Sequence, residues 1–222
     1  MAEVKAPSTI VVAISRQLGS GGSYIGQAVA RRLNFKYVDR QILERAAEML
    51  GMPRDDLAQL EERVSSRWVR LARILSLGPP DGPYSPPRLP VVQEEEIFEV
   101  ENRIIQEIAE REDAVIVGRG SFYMLRHHPA AIRVFVYAPV AWRARRLMAT
   151  FPRLDEAAAH DTIVQADERR ARFVETMTGG PWTEATRYDL CLNTATLGLD
   201  QAAELVASLV SARLKERESR KG

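Results

Sequence analysis

The chain has 222 residues, enough to bury one α/β core with a small subdomain. Its 45% hydrophobic and 27% charged residues exclude a disordered or fibrous chain, and a net charge of +1 gives no reason to expect a nucleic-acid partner. The single cysteine, Cys191, excludes an intrachain disulfide, and no apolar stretch is long enough to span a bilayer. The expectation is a cytoplasmic protein with no membrane partner, its oligomeric state left open.

Residues 1–8 read as a flexible tail and lack a signal-peptide core. Ile10 to Ile14 is an unbroken apolar run, expected to be a buried strand at 10–14. Ser15 to Gly26, SRQLGSGGSYIG, follows it and precedes a helical stripe of Ile25, Ala28, Val29 and Leu33. A strand, a Gly/Ser-rich turn and a helix make an anion site, because unpaired N–H groups and the helix dipole point at one spot. Gly19, Gly21 and Gly22 would let a phosphate approach the backbone. The full phosphate-loop pattern is G-x-x-x-x-G-K-[ST]; here Gly22 stands at the lysine position, and Arg16 is the nearest cation. The same spacing also suits a turn that needs glycine for geometry alone.

Phe35 to Asp39 predicts a second strand, at 35–38, ending in a carboxylate. Helical stripes follow from Arg40 to Leu50 and from Asp55 or Asp56 to Gly78. Residues 79–90 hold six of the twelve prolines and read as an exposed loop, a functional flap or a plain insertion. A helix over Gln93–Arg111 turns Ile97, Val100, Ile104, Ile105 and Ile108 inward.

Ala114–Val117 predicts a buried strand, and Gly118-Arg119-Gly120 follows. Arg119 is either a ligand at the rim of the sheet or a solvated arginine in a tight turn. His127 and His128 read as surface residues, and Cys191 as a small buried one. A strand at 132–137 leads through Pro139 into a helix carrying Arg143, Arg145 and Arg146. Asp155 caps a second helix, to about Thr176, with Asp167, Arg169, Arg170 and Arg172. Arginines on a helical pair suit a lid over phosphates or a solvated charged face. A strand at 189–192 and a helix capped by Asp200 complete one parallel five-stranded sheet covered on both faces. The domain is expected over 9–214, with a charged tail at 215–222.

Several segments together resemble the cytidylate kinase-like branch of the phosphate-loop nucleoside monophosphate kinases. They are SRQLGSGG, YVDRQIL, VIVGRGSFYML, VFVYAPVAWRARRL, ADERRARF and YDLCLNTATLGLDQAAELV, in family order. The resemblance implies a three-layer α/β/α P-loop NTPase fold, an acceptor-binding helical segment over about 40–92 and a lid over about 140–177. It implies ATP and magnesium as the donor pair and a small-molecule acceptor such as CMP or dCMP. It places Gly19, Ser20, Gly21, Gly22 and Ser23 around the donor phosphates, with Ser20 or Ser23 toward magnesium. It places Asp39, Arg40, Arg119, Asp167 and Arg170 at the acceptor, and Arg143 and Arg146 at the opening of the lid. Arg16, Asp39, Arg119, Arg143 and Arg146 are the candidate catalytic residues. Cytidylate kinases carry lysine where Gly22 stands and aspartate where Gly120 stands. That keeps open a kinase with a non-nucleotide acceptor and a non-catalytic nucleotide-binding regulator.

Overall fold

The computed structural model describes residues 9–39 and 94–219. The N-terminal tail, Arg40, the two helices expected between 40 and 78, the proline-rich loop and residues 220–222 lie outside them. The described strands are β1 (Val11–Arg16), β2 (Lys36–Val38), β3 (Ala114–Val117), β4 (Ala131–Tyr137) and β5 (Leu190–Asn193). All pair in parallel, in the order β2-β3-β1-β4-β5. The described helices are α1 (Gly22–Leu33), α2 (Glu94–Arg111), α3 (Ser121–Met124), α4 (Val140–Thr150), α5 (Glu156–Thr178), α6 (Thr194–Leu197) and α7 (Leu199–Ser219).

The central strand β1 is apolar throughout its first four residues because both of its faces are covered. Val12 and Ile14 join Ile25 and Val29 of α1 and Val206 and Val210 of α7 in one core layer. Val11 and Ala13 join Ile104, Ile105, Phe135 and Trp182 in the layer on the other face. A third, smaller cluster of Ala144, Leu147, Leu154, Ala159 and Ile163 holds α4 against α5.

Most of the described elements fall where the sequence puts them, and the differences have local causes. β1 runs on through Ser15 and Arg16, since its pairing with β4 continues at Ser15–Phe135 and Arg16–Val136. The short helices α3 and α6 escape a periodicity test because each has four residues. Asp155 caps α5, accepting the Ala158 N–H at 2.7 Å. Asp200 caps nothing: α7 starts one residue earlier, and the Asp200 carboxylate accepts the Tyr24 hydroxyl at 2.6 Å. Cys191 is exposed rather than buried. It alternates with the buried Leu192 and takes the other face of an edge strand. α7 continues through Ser219, with Arg217 clasping Asp113 at 2.9 and 3.2 Å.

Among the described residues no helix is long and apolar enough to cross a membrane. Among them, too, no group of three or more His, Cys, Asp or Glu could hold a metal ion.

Candidate active site

The turn from β1 into α1 has left-handed backbone at Gly19 (φ 79°) and Gly21 (φ 90°), which glycine adopts without strain. Gly21 caps α1 and offers no side-chain acceptor, so the N-terminal amides of the helix are left for an anion. The loop is clamped from behind. Ser20 is fully buried, its hydroxyl within reach of the Gln17 carbonyl (2.8 Å) and the Val136 carbonyl (3.1 Å). Its own carbonyl accepts the Thr194 hydroxyl at 2.8 Å. The two serines of the loop therefore differ: Ser20 is stitched into the fold, whereas Ser23 faces Asp39, Oγ to Oδ2 at 3.4 Å.

Arg16 leaves the end of β1 and passes between two glycines. A Cβ on Gly22 would lie 2.5 Å from the Arg16 Cβ and 2.8 Å from its Cγ. A Cβ on Gly118, at the end of β3, would lie 1.9 Å from Arg16 Nη1. The guanidinium emerges 3.6 Å from Asp39. Asp39 also accepts the Tyr37 hydroxyl at 3.0 Å. Burial, reinforced by that carboxylate, pushes Tyr37 up to about 12, so it stays a neutral donor.

The arginines of α4 and α5 divide by what they touch. Arg143 is buried, donating from Nε to the Ala138 carbonyl (2.8 Å) and from Nη1 to the Leu18 carbonyl (3.0 Å) and Asp167 (2.6 Å). Asp167 in turn accepts the Leu18 N–H at 3.0 Å, so this pair fixes the phosphate loop to both helices. Arg146 donates to the Gly19 carbonyl at 3.1 Å. Arg170 donates to the Arg16 carbonyl at 2.9 Å and lies over the Trp182 ring at 5.6 Å. Trp182 is anchored by Ser15, to which its Nε1 donates at 2.7 Å.

Arg119 sits in a run of three left-handed residues, Gly118 (φ 82°), Arg119 (φ 56°) and Gly120 (φ 66°). A non-glycine residue there is strained, and such strain gathers at ligand sites. Its Nη1 lies 3.4 Å from the Oε1 of Glu101 on α2, and neither atom has a hydrogen-bond partner. Burial pushes the Glu101 carboxyl up to about 7, against the pull of Arg119.

Separation distinguishes these ion pairs from the structural ones. Arg143–Asp167, Arg133–Asp189 and Arg217–Asp113 are held at 2.6–2.9 Å. Arg16–Asp39, Arg119–Glu101 and Arg170–Asp167 stand off at 3.4–3.6 Å. Burial lowers the pKa of Arg16, with Arg119 pressing the same way. Burial, then Arg16, lowers that of Arg170 to about 9. Guanidinium groups stay charged at neutral pH, so the lowering measures charge that is poorly neutralised. Three cations crowded at the ends of β1 and β3 with loosely held counterions suit an oxyanion.

The sequence-derived residues thus fall into three groups. Arg16, Ser23, Asp39, Arg119 and Arg170 gather around the loop mouth with the backbone of Gly19, Gly21 and Gly22. Arg143, Asp167 and Ser20 buttress the loop from behind, and Arg146 flanks it at Gly19. Arg40 lies outside the described residues. Sequence reasoning missed Glu101, Tyr37 and the role of Gly118. Glu101 had a signal, because with Ile104, Ile105 and Ile108 it continues the apolar stripe of α2.

Residues 11–196 match the model of the cytidylate kinase-like family. The chain belongs to that family. A cytidylate kinase from Halobacterium salinarum is 24% identical over 209 residues, covering 94% of this chain and 93% of that protein. Among solved structures, an uncharacterized protein from Eubacterium ventriosum superposes with a TM-score of 0.66 at 18% identity, covering 91% of this chain and 99% of the other. Shikimate kinase from Bacteroides thetaiotaomicron does so with 0.52 at 17% identity, covering 91% and 98%. Both likenesses concern the fold, which is the three-layer P-loop kinase architecture. In this member of the cytidylate kinase-like family, the side chain that fills the space beside Gly22 comes from β1, at Arg16.

Proposed function

We propose that the protein is an ATP-dependent phosphotransferase of the nucleoside monophosphate kinase type, with CMP or dCMP as acceptor. The observation that carries this reading is the placement of Arg16. Its guanidinium reaches the loop mouth through the gap left by Gly22 and Gly118, beside Asp39. The position where the phosphate-loop pattern has lysine lacks a side chain, and a cation arrives there from the neighbouring strand.

The residues present fit the donor. The N-terminal amides of α1 and the left-handed Gly19 and Gly21 would cradle phosphate oxygens. Ser23 and Asp39 offer the hard oxygen ligands that magnesium prefers. When bound, ATP with magnesium supplies the transferable phosphoryl group and part of the charge that stabilises it. Phosphoryl transfer otherwise asks the protein for alignment and positive charge. Arg16 provides that charge from the loop side and Arg170 from α5. Arg119 faces them from the end of β3 and takes the anionic group of the acceptor. Asp39 orients the acceptor, with Tyr37 holding its second oxygen. Arg143, Asp167 and Ser20 keep the loop in shape, and Arg146 steadies Gly19.

Purified protein with ATP, magnesium and each nucleoside monophosphate should form ADP fastest with CMP or dCMP. A faster reaction with a non-nucleotide acceptor would move the assignment to another kinase class. One observation favours a second reading, a nucleotide-binding regulator without catalysis: Gly22 removes the loop lysine. ATP-dependent thermal stabilisation with no ADP formed from any acceptor would support it.

A further inference from the structure

Glu101 lies at 2% exposure in the apolar stripe of α2, where burial penalises a charged carboxylate. Its Oε1 and the Arg119 Nη1, both buried, face each other at 3.4 Å without a hydrogen bond. Among the described residues, Arg119 is the charged group that acts on this carboxyl. β3, packed beneath α2, is Ala-Val-Ile-Val and brings nothing titratable. α3 brings Tyr123, whose ring is covered by the Arg126 guanidinium at 3.9 Å. α5 meets α2 through Phe173 on Phe98.

We propose that Glu101 is a positioning residue of the acceptor site: it holds Arg119 before the acceptor arrives, and it takes a proton from solvent when an oxyanion takes over the arginine. The inference rests on reading Arg119 as an acceptor-side anion contact. Its physical basis is competition for one cation. The attraction of Arg119 is what opposes the effect of burial on the carboxyl. An oxyanion on Arg119 spends that attraction elsewhere and adds a negative charge nearby, and both changes favour the neutral acid. The carboxylate becomes a carboxylic acid, the proton comes from bulk buffer, and no other bond is made or broken. With the carboxyl lying near 7 in the free protein, about half a proton is available for uptake at pH 7, and nearly a whole one at pH 8. Oxyanion affinity therefore falls as pH rises above 7, by up to about tenfold per unit.

The probe is sulfate, which does not titrate in this range. Calorimetric titration of the intact protein at pH 8, in buffers of different ionisation enthalpy, counts protons taken up per sulfate bound. The wild type should take up close to one, and Glu101→Gln, which mimics the protonated side chain, should bind sulfate and take up none. Sulfate added to the wild type should also raise an infrared band of a protonated carboxyl, a readout independent of the variant's folding. Equal uptake in wild type and Glu101→Gln, or no new carboxyl band, would overturn the inference while leaving the anion site standing. Failure of the wild type to bind sulfate at all would overturn the anion site and the inference together.

Discussion

The stem of Arg16 fills the space that a side chain on Gly22 would enter. A Cβ there would meet the Arg16 Cβ at 2.5 Å, and these are atoms next to the backbone that have little room to move. The two positions therefore behave as a unit. Gly22→Ala should destabilise the wild type by about 1–3 kcal/mol, the usual cost of overpacking. In an Arg16→Gly background, which removes both the Cβ and the Cγ, the same substitution should be nearly neutral, because alanine is otherwise the better helix residue. Urea midpoints of the four proteins give the coupling directly, and additive effects would mean that the contact carries no energy.

Charge at Arg16 can be removed without emptying the gap. Arg16→Met keeps an aliphatic stem between Gly22 and Gly118 and leaves Asp39 with Tyr37 and Ser23. Stability should change little, since a poorly neutralised cation is lost from a crowded cluster. ADP formation should fall at least about a hundredfold, in line with other charge-stabilising groups in phosphoryl transfer. Near-wild-type turnover would move the loop-side charge to Arg170 or Arg146.

The frame of the molecule was readable because burial leaves a local mark. Val11 to Ile14 and Ala114 to Val117 are continuous apolar runs, and such runs arise where a strand is covered on both sides. The end of β1 was not readable, because Ser15 and Arg16 are polar for reasons that lie far along the chain. Ser15 answers Trp182, and Arg16 needs the missing side chain of Gly118. The arginines show the same limit. Arg143 and Arg170 look alike as charged residues on a helical pair. Arg143 is sealed against the Ala138 and Leu18 carbonyls, whereas Arg170 reaches the Arg16 carbonyl at the end of β1. The difference arises from how α4 and α5 cross the loop, which no spacing encodes. Glu101 shows the converse: a carboxyl within an apolar stripe is a local contradiction that the residue pattern itself displays.

Arg143 should act on the fold before it acts on the chemistry. Arg143→Met leaves the Asp167 carboxylate and the Leu18 and Ala138 carbonyls without the donor they share. Breaking a largely buried pair from one side costs about 3–5 kcal/mol. Chemical denaturation should show that loss. A variant with wild-type stability and reduced turnover would instead make Arg143 a catalytic group.

Glu101 also predicts how stability responds to pH. Its carboxyl is raised from an ordinary 4.5 to about 7, so the native state holds this proton more tightly than the unfolded chain does. Between those values the native state binds more protons, and stability falls as pH rises. The contribution is fully present below about 4.5 and is lost as pH passes through about 7. A shift of this size in a group that solvent scarcely reaches corresponds to about 3 kcal/mol. Glu101→Gln keeps the shape of the neutral acid and cannot ionise. The variant and the wild type should thus have similar unfolding free energies near pH 5 and diverge by about 3 kcal/mol by pH 8, with the variant the more stable. Parallel profiles for the two proteins from pH 5 to 8 would mean that Glu101 does not titrate in the fold. By the same linkage the variant should hold its affinity for an oxyanion as pH rises to 8, where the affinity of the wild type falls.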